Sequence, residues 1–275
     1  TGVQTCALPI WSVCLKDKVI TYIRKNKLIE PGDNVLVALS GGPDSVCLLD
    51  ILYKLKDKLN ITLGAVHINH MLRGEDSDKD EEYVIELCNK IGIQSYIKRV
   101  DINAYSAENK MSSEMAGRKV RYDFFEEVMK NGKYNKIATA HNANDQAETI
   151  IFRLIRGSGL EGLGGIKAYR DNKIIRPILC LDREEVEEYI RKENLNPRID
   201  KTNFEKIYNR NKIRLDMIPY IKENFNEDII QTLNRMSVLL QKDNEFIENS
   251  ARSFYEKHCI EQSDYFIIKK EMFDN

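Results

Sequence analysis

Five apolar residues in a row, Val35-Leu36-Val37-Ala38-Leu39, run directly into Ser40-Gly41-Gly42-Pro43-Asp44-Ser45. Helical spacing follows at once, with Val46, Leu49 and Leu52 or Tyr53 on one side of a segment reaching Lys58. An unbroken apolar run bounded by the turn Pro31-Gly32-Asp33 suits a strand covered on both faces, as in a parallel sheet whose crossover helices lie over it. Strand, glycine loop, helix is also the order that turns backbone N–H groups and the positive end of a helix dipole toward one pocket, a site for an anion such as phosphate. Two glycines let the chain bend closely, and Pro43 suits a first helical position. The loop lacks the Lys of G-x-x-x-x-G-K-[ST] and is not G-x-G-x-x-G. A strand-to-helix turn capped by Asp44 or Ser45 is the plainer reading of the same residues.

The rest of the chain extends this alternation. A short helix is expected near Asp17 to Lys27, strands over Ile61 to Asn69, Gln94 to Val100 and Lys136 to Ala140, and helices over Ser77 to Ile91, Ser113 to Lys130 and Asp145 to Arg156. Gly157-Ser158-Gly159 and Gly162-Leu163-Gly164-Gly165 read as a flexible loop, followed by a short segment at Ile174 to Ile178 and a helix at Arg183 to Glu193. The expected fold is α/β, a parallel sheet with helices on both faces, which binds ligands beyond the carboxyl ends of its strands. Near Leu215 to Glu223 a mainly helical region begins. From about Asn226 it becomes one long helix, with Ile229, Leu233, Met236, Leu240, Ile247 and Phe254 at helical spacing.

The expected organisation is a segment 1–12 extraneous to the fold, a catalytic domain over 13–215, and a helical region over 216–275 that begins a truncated second domain. The opening TGVQTCALPI lacks both a Met and the pattern of a secretory signal. The six cysteines form no C-x-x-C pair, which argues against zinc, iron–sulfur or dithiol chemistry and for a reducing, cytoplasmic setting. A net charge of -1 excludes a polycation, so any RNA site is a local patch. No apolar run reaches the ~18 residues of a membrane span.

Leu39-Ser40-Gly41-Gly42-Pro43-Asp44-Ser45 resembles the SGGxDS signature of the PP-loop ATP pyrophosphatases. Four further blocks resemble the tRNA(Ile)-lysidine synthetases among them: His67-Ile68-Asn69-His70-Met71-Leu72-Arg73; the helix with Glu114, Ala116, Arg118, Arg121 and Tyr122; Ala140-His141-Asn142-Ala143-Asn144-Asp145-Gln146-Ala147-Glu148-Thr149 with Arg156-Gly157-Ser158-Gly159; and Asp200-Lys201-Thr202-Asn203 with Arg210-Asn211-Lys212-Ile213-Arg214. The likeness runs from Lys18 to Arg214. It departs at Asn144, where the family often has a second Asp, which places more weight on Asp145.

The resemblance implies that ATP adenylates the carbonyl oxygen at position 2 of the wobble cytidine in an isoleucine tRNA, releasing pyrophosphate, and that the lysine ε-amine then displaces AMP. ATP would be held by Ser40, Gly41, Gly42, Pro43, Asp44 and Ser45, with Mg²⁺ on Asp44 neutralising the leaving phosphates. A helix cap remains the other reading of Asp44. His67, Asn69, His70 and His141 are read as orienting the nucleotide or a loop, since His-x-x-His without a carboxylate or Cys at ligand spacing is no metal site. Satisfied structural histidines are the alternative. His141, Asp145 and Glu148, at i, i+4 and i+7, share a face if their helix begins by His141.

Lysine gives the two carboxylates a task, because at a pKa near 10.4 only roughly one amine in a few thousand is neutral at pH 7. With Asp44 and Arg118, placed near the α-phosphate or the RNA, they complete the expected catalytic set. Arg198, Lys201, Lys206, Arg210, Lys212 and Arg214 form the densest basic stretch, with Tyr208 and Asn209 among them. Arg198, Arg210, Lys212 and Arg214 are the expected tRNA contacts, through the phosphate backbone. The implied partners are isoleucine tRNA and free lysine, with no membrane and homodimer formation left open. Competing functions are a PP-loop tRNA thiolase, an amidating synthetase, or a non-catalytic RNA-binding fragment.

Overall fold

The computed structural model describes residues 15–198, 209–261 and 266–269. The opening segment 1–12, and Asp200, Lys201, Thr202, Asn203, Lys206 and Tyr208, lie outside the described residues. In chain order the elements are α1 (Leu15–Lys25), β1 (Asn34–Ala38), α2 (Pro43–Leu59), β2 (Thr62–Asn69), α3 (Glu75–Ile91), β3 (Gln94–Arg99), α4 (Ile102–Glu108), α5 (Ser113–Gly132), β4 (Lys136–Ala138) and α6 (Ala143–Ile155). They continue with α7 (Leu160–Leu163), β5 (Tyr169–Arg170), β6 (Ile174–Ile175), α8 (Arg183–Lys192), α9 (Asn209–Lys212), a π-helical turn (Ile213–Met217), α10 (Ile218–Asn224), α11 (Ile229–His258), β7 (Cys259–Glu261) and β8 (Phe266–Ile268). Packing divides the chain into two units. One is drawn from residues 15–145 and 168–198, the other from 146–167 and from 209 onward. Residues 146–167 thus join the C-terminal helices, where the sequence suggested a single cut after 215.

The first unit is built on a sheet of order β3-β2-β1-β4-β6-β5, parallel except for β5, which pairs antiparallel with β6. The apolar run is the central strand, with Val35, Leu36 and Val37 fully buried. Because side chains alternate along a strand, Val35, Val37 and Leu39 enter one core with Ile23 of α1, Leu48 and Leu52 of α2, Val84 of α3 and Val186 of α8. Leu36 enters the opposite core with Phe124, Phe125, Val128 and Met129 of α5. Each such side chain contributes about 1.5–3 kcal/mol by leaving water, so β1 is held from both sides. The chain leaves β1 for β2 and β3 on one side and returns to β4 on the other. The loops after β1 and β4 therefore part at a topological switch point, where open α/β sheets bind ligands.

Helix α4 falls where no element was expected, although Asp101 caps it by accepting from the Ala104 N–H at 3.0 Å.

The second unit contains α11, 30 residues long as its periodicity predicts, and the antiparallel β7–β8 pair. The glycine-rich segment expected to be flexible is instead tied down. Arg153 Nη1 donates to the carbonyls of Gly162 and Gly165 at 2.8 and 3.1 Å. Ser237 Oγ donates to the Gly164 carbonyl at 2.7 Å, and Gln146 accepts from the Ile166 N–H while donating to Ser237 Oγ, both at 2.5 Å. These bonds satisfy carbonyls that a glycine loop cannot pair within itself.

Candidate active site

The loop between β1 and α2 is shaped by its own side chains. Gly41 has φ +86°, a conformation that costs a side-chain-bearing residue about 1–2 kcal/mol. Ser45 Oγ donates to the Gly42 carbonyl at 2.9 Å and accepts from the Ser40 N–H at 3.2 Å, with Ser40 Oγ 3.1 Å away. Gly42 is the N-cap of α2 in extended conformation with no side-chain cap, and Pro43 opens the helix. The N-terminus of a 17-residue helix and its dipole are thereby presented at the carboxyl end of β1.

Asp44 lies inside the first turn of α2 and does not cap it. Its Oδ1 accepts a hydrogen bond from Asn142 Nδ2 at 2.8 Å, joining the loop after β1 to the loop after β4. Asn142 is fully buried and also caps α6. Its Oδ1 accepts from the N–H groups of Asn144 and Asp145, both at 3.0 Å, while Asp145 Oδ2 accepts from the Asn142 N–H at 3.0 Å. The pair is a reciprocal capping arrangement, so Asp145 is oriented by the helix terminus it closes. Sequence reasoning assigned Asn142 no role, although Asn three residues before Asp is a cap signal. Asn144 accepts from the Arg183 N–H at 3.0 Å, at the start of α8, a task for which an amide serves as well as a carboxylate.

His141 precedes α6, which begins at Ala143, and so does not share the helical face expected for it; its Nδ1 lies 3.2 Å from Thr139 Oγ1. His67 Nδ1 meets the Leu39 carbonyl at 2.8 Å, which pins the ring against the end of β1. His67 Nε2 and His70 Nδ1 are buried with no hydrogen-bond partner among the described residues. Burial lowers the pKa of both rings; for His70, Arg121 and His67 add to the effect and the value falls to about 4. Asn69 Nδ2 donates to Asp78 Oδ1 and Glu81 Oε2, both at 3.0 Å, and its Oδ1 accepts from the Met71 N–H at 2.9 Å, which fits the loop-orienting reading.

Two arginines converge on Asp80 of α3, Arg73 Nη2 at 2.6 Å and Arg198 Nε at 3.0 Å. The Arg198 N–H donates to the Gly41 carbonyl at 2.9 Å. Arg198, expected on an RNA-facing stretch, is thus joined to the phosphate loop, and Arg73 and Asp80 are residues that sequence reasoning did not single out. Arg118 is exposed on α5, its guanidinium 5.0 Å from the Tyr122 ring centroid, and Arg170 approaches the same ring at 5.2 Å. No group of three or more His, Cys, Asp or Glu side chains suited to a metal ion occurs among the described residues. Mg²⁺ needs less than that, because it is commonly held by one or two carboxylates together with substrate phosphates. Asp44, in the first turn beside the loop, fits that demand.

In the second unit Glu148 is 1% exposed and takes two arginines. Arg214 Nε lies 2.6 Å from Oε1 and Nη2 3.2 Å from Oε2, and Arg210 Nε lies 2.9 Å from Oε2. A carboxylate there requires a cation, as like-charge reasoning anticipates; here arginine supplies it. Arg210 and Arg214, expected to meet tRNA phosphates, are engaged with Glu148, while Lys212 between them lines a cavity.

Comparison with known proteins agrees with this geometry. A family model described as a PP-loop domain matches residues 16–221. The tRNA(Ile)-lysidine synthase of Clostridium acetobutylicum is 56% identical over 257 residues, spanning 94% of this chain and 56% of that protein. The tRNA(Ile)-lysidine synthase of Chlorobaculum tepidum is 39% identical over 241 residues, spanning 88% of this chain and 72% of that protein. The chain spans about half the length of the clostridial relatives it matches. Among solved structures, the U34-tRNA thiolase NcsA from Methanococcus maripaludis with its 4Fe-4S cluster superposes with a TM-score of 0.68 at 18% identity, over 83% of this chain and 80% of that one, a likeness of fold.

Proposed function

The chain belongs to the PP-loop family, and within it to the tRNA(Ile)-lysidine synthases; on that premise we propose that it joins lysine to the wobble cytidine of isoleucine tRNA through an adenylated intermediate. The cytidine O2 attacks the α-phosphorus of ATP and pyrophosphate leaves. The lysine ε-amine, having lost a proton, then adds at C2, and O2 departs with AMP.

The observation that carries this reading is the Asp44–Asn142 bond at the switch point, beside a loop that offers a helix N-terminus to the pyrophosphate end of ATP. Asp44 and the loop bind the β- and γ-phosphates and hold Mg²⁺, whose charge offsets what builds on the leaving group. His67, held neutral by burial and fixed through Nδ1, keeps the end of β1 in place. Asp145 and Glu148, three residues apart on α6, serve the lysine half-reaction. For Glu148, lysine must share or displace the guanidinium groups of Arg210 and Arg214. No helix among the described residues is long and apolar enough to cross a membrane, which agrees with a tRNA substrate in the cytoplasm.

Pyrophosphate release measured with and without isoleucine tRNA and lysine tests the proposal. Release that requires the tRNA, and lysidine that requires lysine as well, are expected. Release with a small amide acceptor and no RNA points to an amidating synthetase and overturns the reading. Single-turnover analysis of Glu148→Gln tests the lysine role: adenylated tRNA forms but converts slowly, with partial rescue by excess lysine. Absence of the adenylated intermediate assigns Glu148 to the first half-reaction instead.

A further inference from the structure

The second unit holds a cavity of about 750 Å³ between α6 and the segment 212–220. Its lining brings together aromatic surface from Phe152 and Tyr220, the thioether of Met217, the cations of Arg156 and Lys212, and the carboxylate of Asp216. Tyr220 is 59% exposed, and the Arg156 guanidinium lies 4.0 Å from the Phe152 ring centroid, stacked on it. Such a lining suits an unstacked nucleotide, since every base has a face to stack and its phosphate meets the cations. An apolar peptide side chain has no use for two cations at its rim. A lone phosphate gains nothing from Phe152 or Met217 and is repelled by Asp216. The volume is that of a small-ligand site.

The cavity shares both its walls with Glu148. Phe152 follows Glu148 by four residues on α6, about one turn, and Lys212 lies between the two arginines that hold the Glu148 carboxylate. Arg156 belongs to the Arg156-Gly157-Ser158-Gly159 block, which the reaction as described above leaves without a task.

We propose that this cavity receives one unpaired nucleotide of the RNA substrate, its base stacked against Phe152 and Tyr220 and its phosphate toward Arg156 and Lys212, next to the cytidine that reacts. The proposal rests on the lysidine-forming reading.

The test uses the full chain and an anticodon stem-loop of isoleucine tRNA carrying 2-aminopurine at each unpaired position in turn. Binding is read by anisotropy and stacking by quenching of the base analogue. One loop position is expected to be quenched by the parent protein. Tyr220→Ala should abolish that quenching and lower affinity roughly ten-fold or more, while Tyr220→Phe retains both. Arg156→Ala should weaken binding and flatten its salt dependence, because one phosphate contact is lost. ATP binding, measured by titration calorimetry, should be the same in all three variants, which shows that they are folded. Equal RNA affinity and quenching in the parent, Tyr220→Ala and Arg156→Ala proteins overturns the proposal while leaving the reaction intact, and assigns the cavity to another occupant, such as a protein side chain. Failure of the parent chain to bind the stem-loop overturns the lysidine reading and this proposal with it.

Discussion

Glu148→Gln keeps the shape of the side chain and removes its charge, leaving two guanidinium groups opposite a neutral amide whose NH₂ is a donor facing donors. Removing one member of a buried ion pair costs about 3–5 kcal/mol. The two arginines do not contribute equally, because the Arg214 side chain is 19% exposed and that of Arg210 48%. Arg210 can turn to water, and its share falls to the ~0–1 kcal/mol of a surface pair. Arg214, gripping the carboxylate through both Nε and Nη2, carries most of the loss. We expect a destabilisation of about 3 kcal/mol, which at roughly 2–4 °C per kcal/mol for a chain of this size lowers the unfolding midpoint by about 6–12 °C. Thermal and urea unfolding followed by circular dichroism at neutral pH measure it. Arg214→Ala should cost clearly more than Arg210→Ala, and added salt should change the Arg214 effect little. A Glu148→Gln protein within ~0.5 kcal/mol of the parent, or an Arg210→Ala protein less stable than Arg214→Ala, would refute the reasoning.

Asn142→Asp preserves the α6 cap, since Asp caps as well as Asn, but sets a carboxylate 2.8 Å from that of Asp44; tRNA-dependent pyrophosphate release should fall by roughly 100-fold with little loss of stability, and near-parental release would remove the bond from the mechanism. Gly41→Ala introduces a Cβ whose nearest neighbours are 3.6–3.8 Å away, ordinary contact, so its cost of about 1–2 kcal/mol in urea unfolding should come from φ +86° alone, and a neutral result would contradict that backbone conformation. His70 has a folded-state pKa of about 4, below its unfolded value near 6.5, so the unfolded chain binds the extra proton. Stability should be full above about pH 6.5, fall as the pH drops toward 4 and level off below; His70→Asn should flatten that slope in a melting-temperature series, and an unchanged slope would exclude His70 as its source.

What was legible in the sequence was local. The run Val35–Leu39 and the six residues after it predict strand, phosphate loop and helix because each signal lies within a few residues of the structure it specifies. The Asn142–Asp145 cap was equally local, but the bond from Asn142 to Asp44 spans 98 positions, and no spacing rule reaches it. The same holds for Glu148. Its need for a cation follows from its neighbour Asp145, whereas the identity of that cation depends on arginines 62 and 66 residues away. The pairs β5–β6 and β7–β8 are two or three residues long and carry no period to detect. The glycine segment read as loose because its own residues offer little to hold it; the side chains that hold it, Gln146, Arg153 and Ser237, lie on two helices.

The π-helical turn at Ile213–Met217 makes the length of its segment matter more than its spelling. Lys212, Asp216 and Tyr220 follow one another in steps of four and all line one cavity. On an α-helix each such step drifts by about 40°, so three residues spaced this way fan apart, and a wider turn keeps them in a row. Loss of one residue from the turn restores α geometry and swings everything after it by about 100° relative to Arg210 and Lys212. Met217 and Tyr220 then leave the cavity, while Arg210 stays beside Glu148. Descendants of this sequence should therefore exchange letters within the turn freely, Leu for Met or Ile for Val, while single-residue insertions and deletions there are purged.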